Sequence, residues 1–133
     1  VVHAVGCDVV AAEHVAGIDL QATQRILYRT RAHVDPGEFP RPFAHIDPAL
    51  ARTLGAAGVR LLGTDAPSVD PVDSKTLDAH HALMGARIAI LESLLLDDVE
   101  PGDYTLIALP LRLRGADSAP VRAVLLDGRL EDT

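Results

Sequence analysis

Two rhythms of apolar and polar positions run along this chain. Short aliphatic or β-branched runs alternate with segments spaced for a helix. Val1 to Val5 is apolar apart from His3 and predicts a buried strand. Val10 to Ala16 predicts a short helix. Arg25-Ile-Leu-Tyr-Arg-Thr30 joins β-branched and aromatic residues and predicts a strand. His33 to Pro42, with prolines at 36, 40 and 42, predicts a loop. Asp47-Pro48 suits a helix opening, with Asp as cap and Pro as first helical residue. That helix runs through Leu54 and stops near Gly55 or Gly58. Val59 to Gly63 then returns as a short strand, and the order helix, glycine, strand marks an α/β unit.

Thr64 to Asp73 is turn-rich, with prolines at 67 and 71 and aspartates at 65, 70 and 73. It follows a strand directly, where α/β proteins tend to place sites. Ser74 or Asp73 is expected to cap a helix from Thr76 to about Gly85. Arg87 to Leu91 predicts a strand. After a turn at Pro101-Gly-Asp103, Tyr104 to Leu113 and Val121 to Leu126 predict two strands joined by Arg114 to Ser118. Pro110 inside the first implies an edge or a bulge. Asp127 to Thr133 reads as a frayed tail.

Composition narrows the picture. The 133 residues fit one domain over 1–133, and 48% hydrophobic residues suffice for a core. Aromatics are 3% and Trp is absent, so that core is aliphatic. The net charge of -7 argues against nucleic acid and anionic membrane surfaces as partners. No apolar run reaches the roughly 20 residues a membrane helix needs. Cys7 is the only cysteine, so no internal disulfide forms; that suits a reducing, cytoplasmic setting, with Cys7 as a small core residue. VVHAVGC lacks the features of a signal peptide. It also lacks Met and opens on a strand-like run, as a piece of a longer chain would.

The candidate chemistry lies in DAHHALMGARIAILE, Asp78 to Glu92. Two histidines precede an apolar run that closes on a carboxylate. His80 and Glu92 are 12 residues apart. On one straight helix they would stand roughly 18 Å apart, beyond the reach of any single ion. A shared role therefore requires a break at Gly85 and a returning strand over Arg87 to Leu91. Imidazole with carboxylate suits Zn²⁺, Mn²⁺ or Fe²⁺. By spacing alone, a surface His pair and a solvated Glu remain open as alternatives. His3, His14, His33 and His45 lack ligand spacing such as HxxxH and read as surface or core residues. Asp78 could orient an imidazole, but two residues apart on a helix points them away from each other.

Several motifs occur together: Gly63-x-Asp65-x-x-Ser68-x-Asp70-Pro71, Ser74-Lys-Thr-Leu-Asp-Ala-His80, Ile90-Leu91-Glu92, Pro101-Gly-Asp-Tyr104, Ala108-Leu-Pro-Leu111 and Pro120-Val-Arg-Ala-Val124. With them, the chain resembles the metal-dependent cyclase family, most closely its formamide-hydrolysing branch. The resemblance implies an α/β fold with a cyclase-type mixed β-sheet core flanked by helices (a swivelling β/β/α arrangement), incomplete in this chain. It implies two Zn²⁺ per active site, with Mn²⁺ as the alternative, and His80 and Glu92 as metal ligands, leaving His81 as a flank. The small-molecule substrate implied is N-formyl-L-kynurenine, hydrolysed to kynurenine and formate in tryptophan catabolism. A homodimer is implied as well. The family's HxGTHxDxPxH signature, which carries the remaining ligands and the acid/base His, does not occur here. The chain is therefore expected to be the C-terminal portion of such an enzyme, inactive and poorly soluble alone. A non-catalytic module of the same fold and a sister amide hydrolase are the alternatives.

Overall fold

The computed structural model describes residues 1–128, so Arg129 to Thr133 of the expected tail lie outside the described residues. Four strands pair in parallel, in the order β1 (Val2–His3), β3 (Arg25–Arg29), β5 (Leu61–Thr64), β6 (Ala89–Leu91). Parallel sheets are covered on both faces, and their inner strands run apolar throughout. Accordingly Ile26, Leu27, Tyr28 and Leu62 are all buried. Leu27 faces Gly63 across the β3–β5 register, and its side chain fills the space a Cβ there would need. A second parallel pair joins β2 (Val9–Val10) to β4 (His45–Ile46).

Two helices supply the crossovers. α1 (Pro48–Ala56) opens as its sequence predicts: the Asp47 carboxylate accepts the Ala49 N–H at 2.8 Å and Pro48 takes the first helical position. Leu50, Ala51 and Leu54 form its buried face. It ends with Gly58 left-handed at φ +90°, the Gly58 N–H on the Gly55 carbonyl and the Val59 N–H on the Leu54 carbonyl. This is the Schellman pattern, and glycine suits its left-handed residue. α2 (Asp78–Gly85) ends the same way, but the left-handed residue is Arg87, at φ 57°. The N–H groups of Arg87 and Ile88 reach the Met84 and Leu83 carbonyls, each at 2.9 Å. The returning strand therefore starts at Ala89, two residues later than expected.

Other departures have local causes. Val10 to Ala16 is not one helix: Val9–Val10 pair with β4, and Ala12–Val15 make a single 3-10 turn. The strand expected over Val1 to Val5 is limited to Val2–His3, because the chain already turns at Val5 and Gly6. β4, between two prolines, was hidden by its length. Cys7 is half-buried against the core, and burial raises its thiol pKa. Parallel and antiparallel pairing both occur, in separate sheets.

Residues 102–128 form a unit of their own, an antiparallel ribbon of β7 (Tyr104–Pro110) and β8 (Val121–Asp127). Asp127 thus belongs to a strand. β7 stops at Pro110 rather than Leu113, opposite Val121. Both strands of a two-stranded ribbon are edges, where a missing N–H is tolerated. Ile107, Leu109, Val124 and Leu126 share one exposed face.

Two substitutions test this packing. A Cβ added at Gly55 would lie 2.6 Å from the Ala86 Cβ, an atom fixed to backbone that no rotamer change can move. Overpacking costs about 1–3 kcal/mol, more than the ~1 kcal/mol helix-propensity gain of Ala over Gly. Gly55→Ala should lower stability in urea denaturation, and adding Ala86→Gly should restore it. The Tyr28 hydroxyl is buried without a hydrogen-bond partner among the described residues, and burial pushes its pKa well up. Tyr28→Phe should leave stability unchanged or raise it by ~1 kcal/mol; a loss of that size would reveal a partner for the hydroxyl.

Candidate functional site

The carboxyl ends of β3, β5 and β6 meet at one edge of the parallel sheet, and short hydrogen bonds tie their turns together. Asp65, directly after β5, is 1% exposed. Its carboxylate accepts the Thr30 N–H and hydroxyl and the Arg31 N–H, locking the end of β3 to the end of β5. After β6, Ser93 turns left-handed at φ 59°. Its N–H bonds the Ala66 carbonyl and the Leu94 N–H bonds the Thr64 carbonyl, at 2.9 and 3.1 Å. The residue between β6 and this turn is Glu92. Its Oε1 accepts the Val69 N–H at 2.8 Å, so the Thr64 to Asp73 loop holds the carboxylate from the side.

That loop also starts the helix that carries His80. The N-cap of α2 is Leu77, left-handed at φ 51° and with no capping bond from its own side chain; Ser74, expected as the cap, instead accepts the Leu77 N–H on its Oγ at 3.1 Å, and Asp73 does not cap. The cap comes from farther back. Asp70 accepts the Ala79 N–H at 2.8 Å and the His80 N–H at 3.1 Å, satisfying two of the free donors of the first turn. Its Oδ2 lies 2.6 Å from His80 Nδ1. Burial raises the Asp70 carboxyl pKa, but the His80 ring and the Ala79 and His80 N–H groups outweigh it, and the net shift is downward. An ionised carboxylate only accepts, so the proton between them sits on Nδ1. In the neutral ring this leaves the lone pair on Nε2.

His80 Nε2 faces Glu92 Oε1 at 3.5 Å. The fold-back that this requires is made by the α2 cap at Arg87 together with β6, not by Gly85 alone. Two donors about 2.0–2.1 Å from a tetrahedral ion stand ~3.3–3.4 Å apart, so the pair has the separation and the chemistry to share a divalent ion. Both side chains are 30% exposed, open to a ligand. Among the described residues, no group of three or more His, Cys, Asp or Glu is placed to hold a metal.

The other candidates go elsewhere. His81 lines a shallow groove between α1 and α2 with Arg52 and Gly55. Asp78 is exposed at the start of α2. His3 bonds the Val99 carbonyl at 2.8 Å, His14 accepts the Ala11 N–H at 3.1 Å, and His33 pairs with Asp97 at 2.5 Å. Sequence reasoning placed Asp70 in a shared motif but gave it no role. Capping rules look one residue upstream of a helix, whereas Asp70 acts across nine.

No family model matches the chain. Among curated proteins it is similar to the kynurenine formamidase of Salinibacter ruber, at 51% identity over 116 residues, 86% of this chain and 55% of that protein. The kynurenine formamidase of Bordetella avium is 47% identical over 126 residues, 94% of this chain and 60% of that protein. That of Bacillus cereus is 47% identical over 113 residues, 85% and 54%. The chain thus spans little more than half the length of these relatives. Two solved structures share its fold at 30% identity. One, called a "potential metal-dependent hydrolase with cyclase activity", superposes with a TM-score of 0.81 over 92% of this chain and 60% of its own. The other, a "predicted metal-dependent hydrolase" from Bacillus stearothermophilus, gives 0.76 over 89% and 57%. The α/β architecture is that of these hydrolases.

Replacing Asp70 separates its two jobs. Asp70→Asn keeps size but turns an amide N–H₂ toward N–H donors. Unfolding by urea should show a loss of about 1.5–3 kcal/mol, the range for a hydrogen bond to a charged group. The His80 ring should lose its fixed tautomer, read in the imidazole nitrogen shifts by NMR. An unchanged midpoint and unchanged shifts would mean that Asp70 holds neither helix nor ring.

Proposed function

We propose that this chain carries part of the active site of a metal-dependent formamidase acting on N-formyl-L-kynurenine, with water, to give kynurenine and formate in tryptophan catabolism. The observation that supports it most is the convergence of His80 Nε2 and Glu92 Oε1 at 3.5 Å. The similarity to kynurenine formamidases over at least 85% of the chain supplies the substrate.

His80 and Glu92 are the two residues of this chain that would hold the ion. We assign Zn²⁺, two per active site, with Mn²⁺ as alternative, because a borderline donor set of imidazole and carboxylate suits both. When bound, such an ion supplies Lewis acidity for amide hydrolysis. The chain's own part is positioning. Asp70 keeps the proton on Nδ1 and so keeps Nε2 basic, the usual role of a carboxylate behind a ligating His. The Val69 N–H fixes one Glu92 oxygen, and Asp65 fixes the strand ends beneath. The remaining ligands and the acid/base group come from outside the described residues.

A homodimer accords with the exposed apolar face of the β7–β8 ribbon, where Leu109 is 75% exposed. No helix among the described residues is long and apolar enough to cross a membrane. With one cysteine in the chain, a cytoplasmic site of action is the reading we adopt. A sister activity on a cyclic amide is the second reading, favoured by the cyclase activity ascribed to one structural relative.

The test uses the full-length gene product. It should release formate from N-formyl-L-kynurenine, lose that activity to a chelator and regain it with Zn²⁺ or Mn²⁺. His80→Ala and Glu92→Gln should each lower kcat/KM by about 100-fold or more, at least the loss seen when partners one step removed are changed. Each should also lower the metal content measured by atomic emission. Release of no formate with either metal would end the formamidase reading, and turnover of a cyclic amide instead would select the second.

A further inference from the structure

A cleft of 380 Å³, lined in part by the residue that follows Glu92, is not used in positioning the two donors. Its lining includes Asp65 and Pro67 from the turn after β5 and Ser93 from the turn after β6. These are the turns that hold Val69 and Glu92, so the cleft adjoins the donor pair along the chain on both sides. The opposite wall is the loop expected over His33 to Pro42.

Three features of this lining stand out. Phe39, one of the chain's two phenylalanines, lines the cleft. Phe39 is 56% exposed, yet its ring is fixed edge-on against Phe43, with centroids 5.9 Å apart and planes at 82°, and under the Arg41 guanidinium at 5.4 Å. Leu95, also lining the cleft, is 63% exposed. A rigid, exposed aromatic beside an exposed leucine offers a flat apolar surface, which suits an aryl ring. Charges of both signs join them: Arg31 against Asp35 and Glu38. The Arg31 backbone is anchored by its N–H on Asp65, while its guanidinium forms no ion pair among the described residues. The planar fork of a guanidinium matches a carboxylate bidentately.

We propose that this cleft binds the aromatic amino-acid part of the substrate, with Phe39 and Leu95 against the aryl ring and Arg31 on the α-carboxylate. The formamide then points toward the adjoining His80–Glu92 pair. The proposal rests on the formamidase reading and makes Arg31 a specificity residue: it selects aryl formamides that bear an amino-acid side chain over simple ones.

Binding and turnover test it separately. The full-length gene product, stripped of metal by chelator, is titrated with L-kynurenine and with 2-aminoacetophenone, which lacks the carboxylate. Arg31→Ala should weaken L-kynurenine about 10-fold, the effect of losing one charge-assisted hydrogen bond, and leave 2-aminoacetophenone unchanged. Phe39→Ala should weaken both, and Phe39→Leu should keep most of the affinity. With metal restored, Arg31→Ala should raise KM for N-formyl-L-kynurenine with little change in kcat, and alter neither for the formamide of 2-aminoacetophenone. Equal effects of Arg31→Ala on both ligands, or no binding of either by the wild type because other polypeptide fills the cleft, would overturn the proposal. Selective binding without formate release would support the cleft and overturn only the formamidase reading beneath it.

Discussion

A carboxylate at 2% exposure costs several kcal/mol unless its lone pairs are met by donors. Asp70 meets this condition with two backbone N–H groups of the first turn of α2 and the ring N–H of His80. The consequence is a coupling. The bonds that begin the helix also set the rotamer and tautomer of its histidine, and neither can change while Asp70 stays in place. The buried charge is tolerated because it sits at the positive end of a helix, where the dipole and free N–H groups favour an anion. Remove it, and the helix start and the imidazole lose their reference together.

The same neighbourhood concentrates backbone strain. Leu77, Arg87 and Ser93 are the non-glycine residues at positive φ among the described residues. One precedes α2, one follows it, and one follows Glu92. Left-handed geometry costs a non-glycine residue roughly 1–2 kcal/mol. Such cost persists only where surrounding contacts fix the conformation. At Arg87 the two Schellman bonds do so, and at Ser93 the bond to the Ala66 carbonyl does. The result is a tight reversal that brings β6 back beside β5, so that Glu92 arrives where the helix presents His80.

Much of the frame could be read from residue order. Asp47-Pro48 announced α1, the β-branched run at 25–30 announced β3, and the motif from Ser74 to Glu92 pointed to His80 and Glu92. Other features were illegible for physical reasons. β2 and β4 are two residues each, too short to carry any period. The α2 cap is tertiary, since it comes from a side chain nine residues away, and local propensity does not register such a bond. Arg87 in a glycine's conformation is likewise invisible, because its bonds to Met84 and Leu83 decide it rather than its own preference. That Phe39 and Arg31 line one cleft emerges only in the fold.

The way the donor pair is held argues for a third party between its members. At 3.5 Å, Nε2 and Oε1 are too far apart for a good hydrogen bond with each other. Each is instead held by a separate partner: His80 by Asp70, and Glu92 by the Val69 N–H. If the pair served only to stabilise the fold, closing that gap would be the simpler arrangement, with the imidazole donating directly to Glu92. In a neutral ring with its proton on Nδ1, facing Asp70, Nε2 turns a lone pair rather than a donor toward the carboxylate. Two electron-rich groups then face each other across a space that suits a cation. Because both are already oriented, a cation binding there has little side-chain ordering to overcome. A catalytic ion takes about three protein ligands, so on the proposed reading the two donors, one on α2 and one directly after β6, would be part of a site that further residues complete.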